Sequence, residues 1–550
     1  MDTAAKFLVD DLLSQNINTY FGIPGGPIVP MFDAVLRTPK ARLIQSKHET
    51  AALFEAIGYY KVTGKIPVVL VSAGPGITNS LTGLHSARAL NIPLFLICGD
   101  VDWRTNNYIL LQNGGPEGIN IKDTFAPHVE RVILLNNSDT VSREVISAIS
   151  NRQTNKPFLG ILPINVSNHL IDKPKFFIGK KSKSFDFSFD FADDLYKLLD
   201  NANKPLLVLG NGATHFNYRI ESLVNHLGIP FVTTPQAKGL VSEKHSLSLR
   251  NCGLAASKWI KDYLVEKPDL VIVVGSDLDD CSIGSTEFIG ENTYLYHVDI
   301  NSSVFDRRYK TSFPVLLDIK DFCDGVLQKP FRQFRTDLIS DIKANSPFNI
   351  SNFAEDDNIP VAPHRVTADL EKAAPGTRIV SDIGEHMLFC LHYLTSHNNF
   401  NIDMGLGSMG SGICTSIGMC LADKKPTICI CGDGGFQMHG MEILTAIKNN
   451  LPIIFAIFND ARYNMVYHGF KNFFNREEHL GETDYIDFVK LAESLGISGY
   501  LIDRPGQIDS LLLDNIFNQN RPAILDIRID RNICMVGAGR NEALKHMGGS

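Results

Sequence analysis

Thr427-Ile-Cys-Ile-Cys-Gly-Asp-Gly-Gly-Phe-Gln-Met438 begins with the text of one element and ends with that of another. Thr427 to Cys431 is a β-branched and apolar run without polar alternation, the pattern of a strand covered on both faces. The glycines at 432, 434 and 435 then turn the chain, and helical text begins near Met438. Strand, glycine turn and helix, in that order, form the repeating unit of a doubly wound parallel sheet.

The same grammar recurs on both sides of this stretch. Apolar strand runs stand at residues 67–72 and 93–98, at 204–209, 269–275 and 294–299, and again at 453–458 and 523–527. They predict an α/β protein of three doubly wound parallel-sheet domains, over residues 1–172, 190–335 and 359–550. Residues 173–191, Lys-rich and then rich in Ser, Phe and Asp, read as one linker, and the polar residues 336–358 as a second. A chain of 550 residues is too long for one hydrophobic core, which agrees with several domains.

Bulk properties exclude more than they assign. No apolar run is long enough to span a bilayer, and no basic-then-apolar leader opens the chain, so a cytoplasmic, membrane-free protein is expected. A net charge of −8 argues against a nucleic-acid partner. The cysteines are scattered without CxxC or Cys/His metal spacing and read as buried reduced thiols.

Alone, Gly432-Asp433-Gly434 reads as a simple turn with an Asx-type hydrogen bond. Its context points further. Glycines at a strand end let the backbone approach an anion, and a following helix start offers free N–H groups. A carboxylate there would repel the anion unless a hard divalent cation lay between them. The next parallel strand, residues 453–458, ends in Asn459-Asp460-Ala-Arg-Tyr463. Asp460 offers a second carboxylate oxygen and the carbonyl of Arg462 a third ligand, so Asp433, Asp460 and Arg462 are the expected metal set.

These residues together resemble the signature of the thiamine diphosphate-dependent enzymes, where Gly-Asp-Gly pairs with a downstream Asn-Asn. Here Asp460 stands for the second Asn and still offers an oxygen. The wider text at 432–438 and 463–466 is similar to the acetolactate synthase branch. The N-terminal unit agrees through Tyr20-Phe-Gly-Ile-Pro-Gly-Gly26, Lys47-His-Glu49 and Ser72-Ala-Gly-Pro-Gly-Ile-Thr-Asn79. The resemblance covers most of both outer units and is weaker in the middle.

The resemblance implies thiamine diphosphate and Mg²⁺ as cofactors. It implies that Glu49 meets the pyrimidine ring nitrogen and promotes loss of the thiazolium C2 proton. Pro24, Gly25, Gly74 and Asn79 then belong to the pyrimidine side, while Gly432, Gly434, Gly435, Gly384 and His386 belong to the diphosphate side. Gly407 and Met409, in Gly405-Leu-Gly-Ser-Met-Gly-Ser411, would hold the cofactor bent, and Met465 is a further cofactor-binding residue. Glu385 departs from the family, which carries an uncharged residue there. Because these enzymes take Glu49 from one subunit and the Asp433 site from another, a homodimer or homotetramer is implied.

For the reaction, the resemblance implies decarboxylation of a 2-oxo acid followed by one of two fates. Simple decarboxylases place proton donors near the enamine; here Val466 stands where they carry Glu, and Gln112 and Asn113 stand nearest the expected His pair. Gln112 is the candidate polar catalytic group. An apolar site favours attack on a second carbonyl over protonation. The Arg-Phe-Asp-Asp-Arg stretch of the FAD-containing relatives reads Asp277-Leu-Asp-Asp-Cys281, so FAD is not expected and an acceptor carboxylate loses its guanidinium fork. The expected function is acetolactate synthase-like carboligation. A decarboxylase releasing an aldehyde and a non-catalytic cofactor-binding relative stay open as alternatives.

Overall fold

The unbroken apolar runs become central strands. In the computed structural model, which describes residues 1–172 and 190–535 except 103, 105–109, 153, 285, 478 and 480, they build three parallel six-stranded sheets. The last sheet runs, edge to edge, Phe400–Ile402, Arg378–Ser381, Thr427–Gly432, Ile453–Asn459, Ala523–Arg528, Ser498–Ile502. Its three middle members are almost wholly buried, which is why they carry no polar alternation. The first sheet has the same winding, with Arg42–Gln45, Thr19–Gly22 and Val68–Ser72 at one side and Phe95–Asp100 next. The α/β class and the three doubly wound sheets are as the sequence predicts.

In both outer sheets the strand order reverses beside the first strand. In the last sheet the chain goes from Arg378–Ser381 to one neighbour, Phe400–Ile402, and then returns to the other, Thr427–Gly432. A crevice therefore opens beyond the carboxyl ends of those two strands, where doubly wound sheets bind ligands. Gly384 to His386 follow the first of them and Gly432 to Gly435 end the second. In the first sheet, Pro24 and Gly25 follow Thr19–Gly22, and Gly74 follows Val68–Ser72.

The outer sheets share a core. Phe54 and Ile57 of the helix Glu49–Thr63 join Ile413 and Ile417 of Ser411–Asp423 and Phe455 of the last sheet in one apolar cluster. Glycines let the two helices meet. A Cβ on Gly418 would lie 1.9 Å from the Glu55 carbonyl oxygen, and one on Gly58 2.2 Å from that of Thr415.

Three details differ from the sequence reading or escape it. The helix expected near Met438 spans Asp433–His439, because tight packing of Gly434 on the Tyr463 ring and of Gly435 on Asp382 holds poor helix formers in place. The polar residues 336–358 are not a plain linker: they form short turns, and Phe348 and Phe353 stack on Tyr393. Of the other expected linker, residues 173–189 lie outside the described residues.

Candidate active site

Beyond the strand ends lies a cavity of about 630 Å³. The expected residues Gly384, His386, Gly407, Met409, Gly432, Asp433, Gly434, Gly435, Asp460, Arg462 and Met465 all line it. Strand pairing places two of them together: Gly432 pairs with Phe458 in adjacent parallel strands, which brings Asp433 beside Asn459 and Asp460.

Asp433 opens its helix almost fully buried. One carboxylate oxygen accepts the Gly434 N–H at 2.7 Å, while Oδ2 is buried without a partner. Burial raises its pKa, opposed by backbone N–H groups of Gly434 and of residues 460 to 462. Asp460 is pushed up to about 8, first by burial and then by the Asp433 charge beside it. The Arg462 carbonyl accepts the Asn464 N–H at 2.9 Å and has a second lone pair. Two carboxylates that destabilise each other, an orphaned oxygen and a carbonyl form a hard, oxygen-only donor set, which fits Mg²⁺.

This arrangement has a pH signature. Below about 8 the metal-free site keeps a proton on Asp460 that an entering cation must displace. Mg²⁺ affinity is therefore expected to fall with falling pH by up to about tenfold per unit, and to level off at alkaline pH. Calorimetry near neutrality in buffers of different ionisation enthalpy checks this. A binding heat that does not change with the buffer would mean that no proton leaves.

The remaining expected residues gather on the first sheet, away from this cavity. Asn79 Nδ2 donates to Glu49 Oε2 at 3.0 Å, and a Cβ on Gly76 would lie 3.5 Å from Glu49 Oε1. A Cβ on Gly25 would strike the Ser72 hydroxyl at 2.1 Å, and Gly74 packs on Gln112, which has a left-handed φ of 58°. Glu49 opens its helix, with His48 accepting the Thr50 N–H as the cap. Among the described residues, none before Leu254 lines the Asp433 cavity, so Glu49 stands outside the cavity of its own chain.

Three features of the cavity wall were not read from the sequence. Glu385 lines the cavity, and both its oxygens lie 2.8 Å from Nδ1 of buried His468, with Cys534 close by. The wall is thus less devoid of ionisable groups than its apolar text suggests. The one available signal was the i, i+3 spacing of Met465 and His468 on a single helix. The middle unit contributes Leu254, just after the strand Ser248–Asn251, and Asp280 and Cys281 of the short helix Asp280–Ile283. Beside residues 277–281, Arg308 meets Asp280 at 2.8 Å and Arg307 meets Asp277 at 3.5 Å, but neither arginine lines the cavity. Lastly, Asp382 accepts the N–H groups of Gly410 at 2.8 Å and Gly412 at 3.0 Å, fixing the turn that carries Gly407 and Met409.

Comparison with known proteins matches each sheet in turn. The thiamine pyrophosphate (thiamine diphosphate) enzyme family accounts for residues 2–123 as its N-terminal TPP binding domain, 192–326 as its central domain and 382–527 as its C-terminal TPP binding domain. The chain belongs to the thiamine pyrophosphate enzymes. Among curated members of this family, a probable acetolactate synthase large subunit of Methanococcus aeolicus is 28% identical over 96% of the chain and 92% of its own length. The acetolactate synthase isozyme 1 large subunit of Escherichia coli is 26% identical over 96% and 94%, and the acetolactate synthase large subunit of Lactococcus lactis 26% over 98% and 95%. The two matched TPP binding domains hold strands of the first and last sheets. Among the described residues, no helix is long and apolar enough to cross a membrane, and no cysteine is in a disulfide.

Proposed function

We propose that this enzyme decarboxylates a 2-oxo acid and joins the remaining fragment to a second carbonyl carbon, in the manner of an acetolactate synthase. The observation that carries the reading is the pairing of Asp433 and Asp460, with the Arg462 carbonyl, at the edge of a cavity whose wall includes the apolar Met465, Val466, Ile529 and Ile533 besides Glu385. Asp433, Asp460 and Arg462 would hold Mg²⁺, and through it the diphosphate. Gly432 to Gly435, Gly384 and His386 would approach the phosphates, and burial, which lowers His386 to about 4, keeps its imidazole neutral there. Bound thiamine diphosphate supplies a sink for the electron pair left when CO₂ departs.

The chain's own groups then have distinct tasks. Glu49 presents a carboxyl to the pyrimidine ring, with Asn79 holding that carboxyl in place. Met465, Ile529 and Ile533 make much of the wall apolar, which favours attack on a carbonyl over uptake of a proton. Because Glu49 stands outside the Asp433 cavity of its own chain, Glu49 of the partner subunit completes each site in a homodimer. Exposed Leu406, Met438 and Met441 around the cavity suit such an interface.

Mass analysis after incubation with pyruvate, thiamine diphosphate and Mg²⁺, with and without added aldehydes, tests the reaction. The expected product carries a new C–C bond. Free acetaldehyde matching the CO₂ released, with no coupled product, would replace this reading by simple decarboxylation. A fully active monomer in light scattering would overturn the shared site.

A further inference from the structure

Segment Lys47-His48-Glu49 leads into the helix Glu49–Thr63, and the turn Gly440–Glu442 lies against it. Both oxygens of the Glu442 carboxyl accept the Lys47 backbone N–H, at 3.0 and 3.1 Å, and Oε1 also accepts the Thr445 hydroxyl at 2.6 Å. Glu55, further along the same helix, is fully buried. Its Oε2 accepts the Ser46 hydroxyl at 2.6 Å, while its Oε1 has no donor within reach. Ser46 and Lys47 are consecutive, so the carboxyls bound to them, those of Glu55 and Glu442, lie side by side.

Two ionised carboxylates cannot be buried side by side without a cation or a proton between them. The nearest cation is engaged elsewhere: Lys47 Nζ donates to the Gln45 carbonyl at 3.1 Å and to the Thr445 hydroxyl at 3.2 Å. The helices on either side are in glycine contact, Gly418 against the Glu55 backbone, which leaves no layer of water to screen the pair. Glu442 uses its oxygens as acceptors, so the bare Oε1 of Glu55 is the place for a proton. Burial, and next the Glu442 charge, push the Glu55 carboxyl well above its ordinary range, in the same sense.

We propose that Glu55 is kept as a neutral acid donating to the Glu442 carboxylate, and that this shared-proton pair positions Glu49 through the Lys47 amide. Glu442 stands directly after the helix that Asp433 opens, so the pair ties the Glu49 half-site to the metal half-site of the same chain. The proposal rests on Glu49 as the carboxyl that activates the cofactor. Glu55 and Glu442 themselves touch neither cavity nor metal ligands and are positioning residues.

Infrared difference spectroscopy of the full-length enzyme, parent against Glu55→Gln, reads the proton directly. A protonated-carboxyl C=O band at neutral pH, present in the parent and lost in the variant, is expected. Its absence from the parent overturns the proposal. Glu55→Gln keeps a donor facing Glu442, so kcat for CO₂ release is expected within about twofold of the parent. Glu55→Leu removes the donor, and kcat is expected to fall at least about tenfold while the Kd for thiamine diphosphate holds. Equal damage from Gln and Leu, or an unchanged kcat in the Leu variant, also overturns it. If the Leu variant does not fold, the infrared comparison and the Gln variant decide. Failure of the Glu49 reading looks different: Glu49→Gln would then turn over normally while the infrared band persists.

Discussion

Asp433→Ala is expected to abolish Mg²⁺-dependent binding of thiamine diphosphate while leaving the metal-free protein at least as stable as the parent. The first half follows from the donor set. Asp433 and Asp460 are its only carboxylates, and loss of a group merely behind a metal ligand already weakens metal affinity by roughly 10- to 100-fold. Removal of a ligand should therefore lower affinity by at least about a hundredfold. Cofactor titrations by tryptophan fluorescence or calorimetry, at fixed Mg²⁺, measure this. A near-parental Kd would move the metal elsewhere.

The second half follows from linkage. Asp433 and Asp460 are both raised in the folded state, Asp460 to about 8, so between the ordinary carboxylate range and that value the folded chain holds more protons than the unfolded one. Stability of the metal-free protein then falls as pH rises through this window. Removing Asp433 relieves Asp460 of its charged neighbour, so melting temperatures of parent and variant should diverge with rising pH, the variant lying higher. Added Mg²⁺ and cofactor should raise the parent's melting temperature and leave the variant's unmoved. A variant that melts far below the parent at every pH would mean that Asp433 supports the fold rather than a cation.

What could be read from the sequence depended on how local the determining physics is. The strand Thr427–Gly432 needed only its own apolar run, and Asp460 was reachable because one parallel crossover sets adjacent strand ends together. The start of the helix at Asp433 was missed by five residues, since Gly434 and Gly435 disfavour a helix unless Tyr463 and Asp382 pack on them. His468 lies 83 residues from Glu385, and Arg308 reaches Asp280 across 28. Neither pairing leaves a periodic trace. Glu442 and Lys47 are 395 residues apart, joined only because the first and last sheets share a core. Patterning therefore brought Asp433 and Asp460 together, Glu49 entered only through the family resemblance, and the contacts that connect the two outer sheets belong to tertiary packing.

Glu49→Gln carries the other large effect, and here binding and turnover should separate. Glu49 lies in the first turn of its helix, its Oε2 held by Asn79 at 3.0 Å and its backbone led in by the Glu442-bound Lys47. Gln keeps this shape and the bond from Asn79 to a side-chain oxygen. What it loses is a carboxyl able to exchange a proton with a ring nitrogen. Proton transfer by a positioned side chain contributes roughly 10²- to 10⁴-fold, so CO₂ release should slow by about that factor with little change in cofactor affinity. Exchange of the cofactor's C2 proton, followed by NMR after acid quench, should slow in parallel, because activation precedes any contact with the 2-oxo acid. Slow CO₂ release with normal C2 exchange would assign Glu49 to a later step, and normal rates of both would remove it from the mechanism. On the proposed site shared between two subunits, mixing Glu49→Gln with Asp433→Ala chains gives a sharper result. A mixed dimer holds one site with both lesions and one with neither, so activity absent from each variant should reappear on mixing, up to about half of the parental value per mixed dimer.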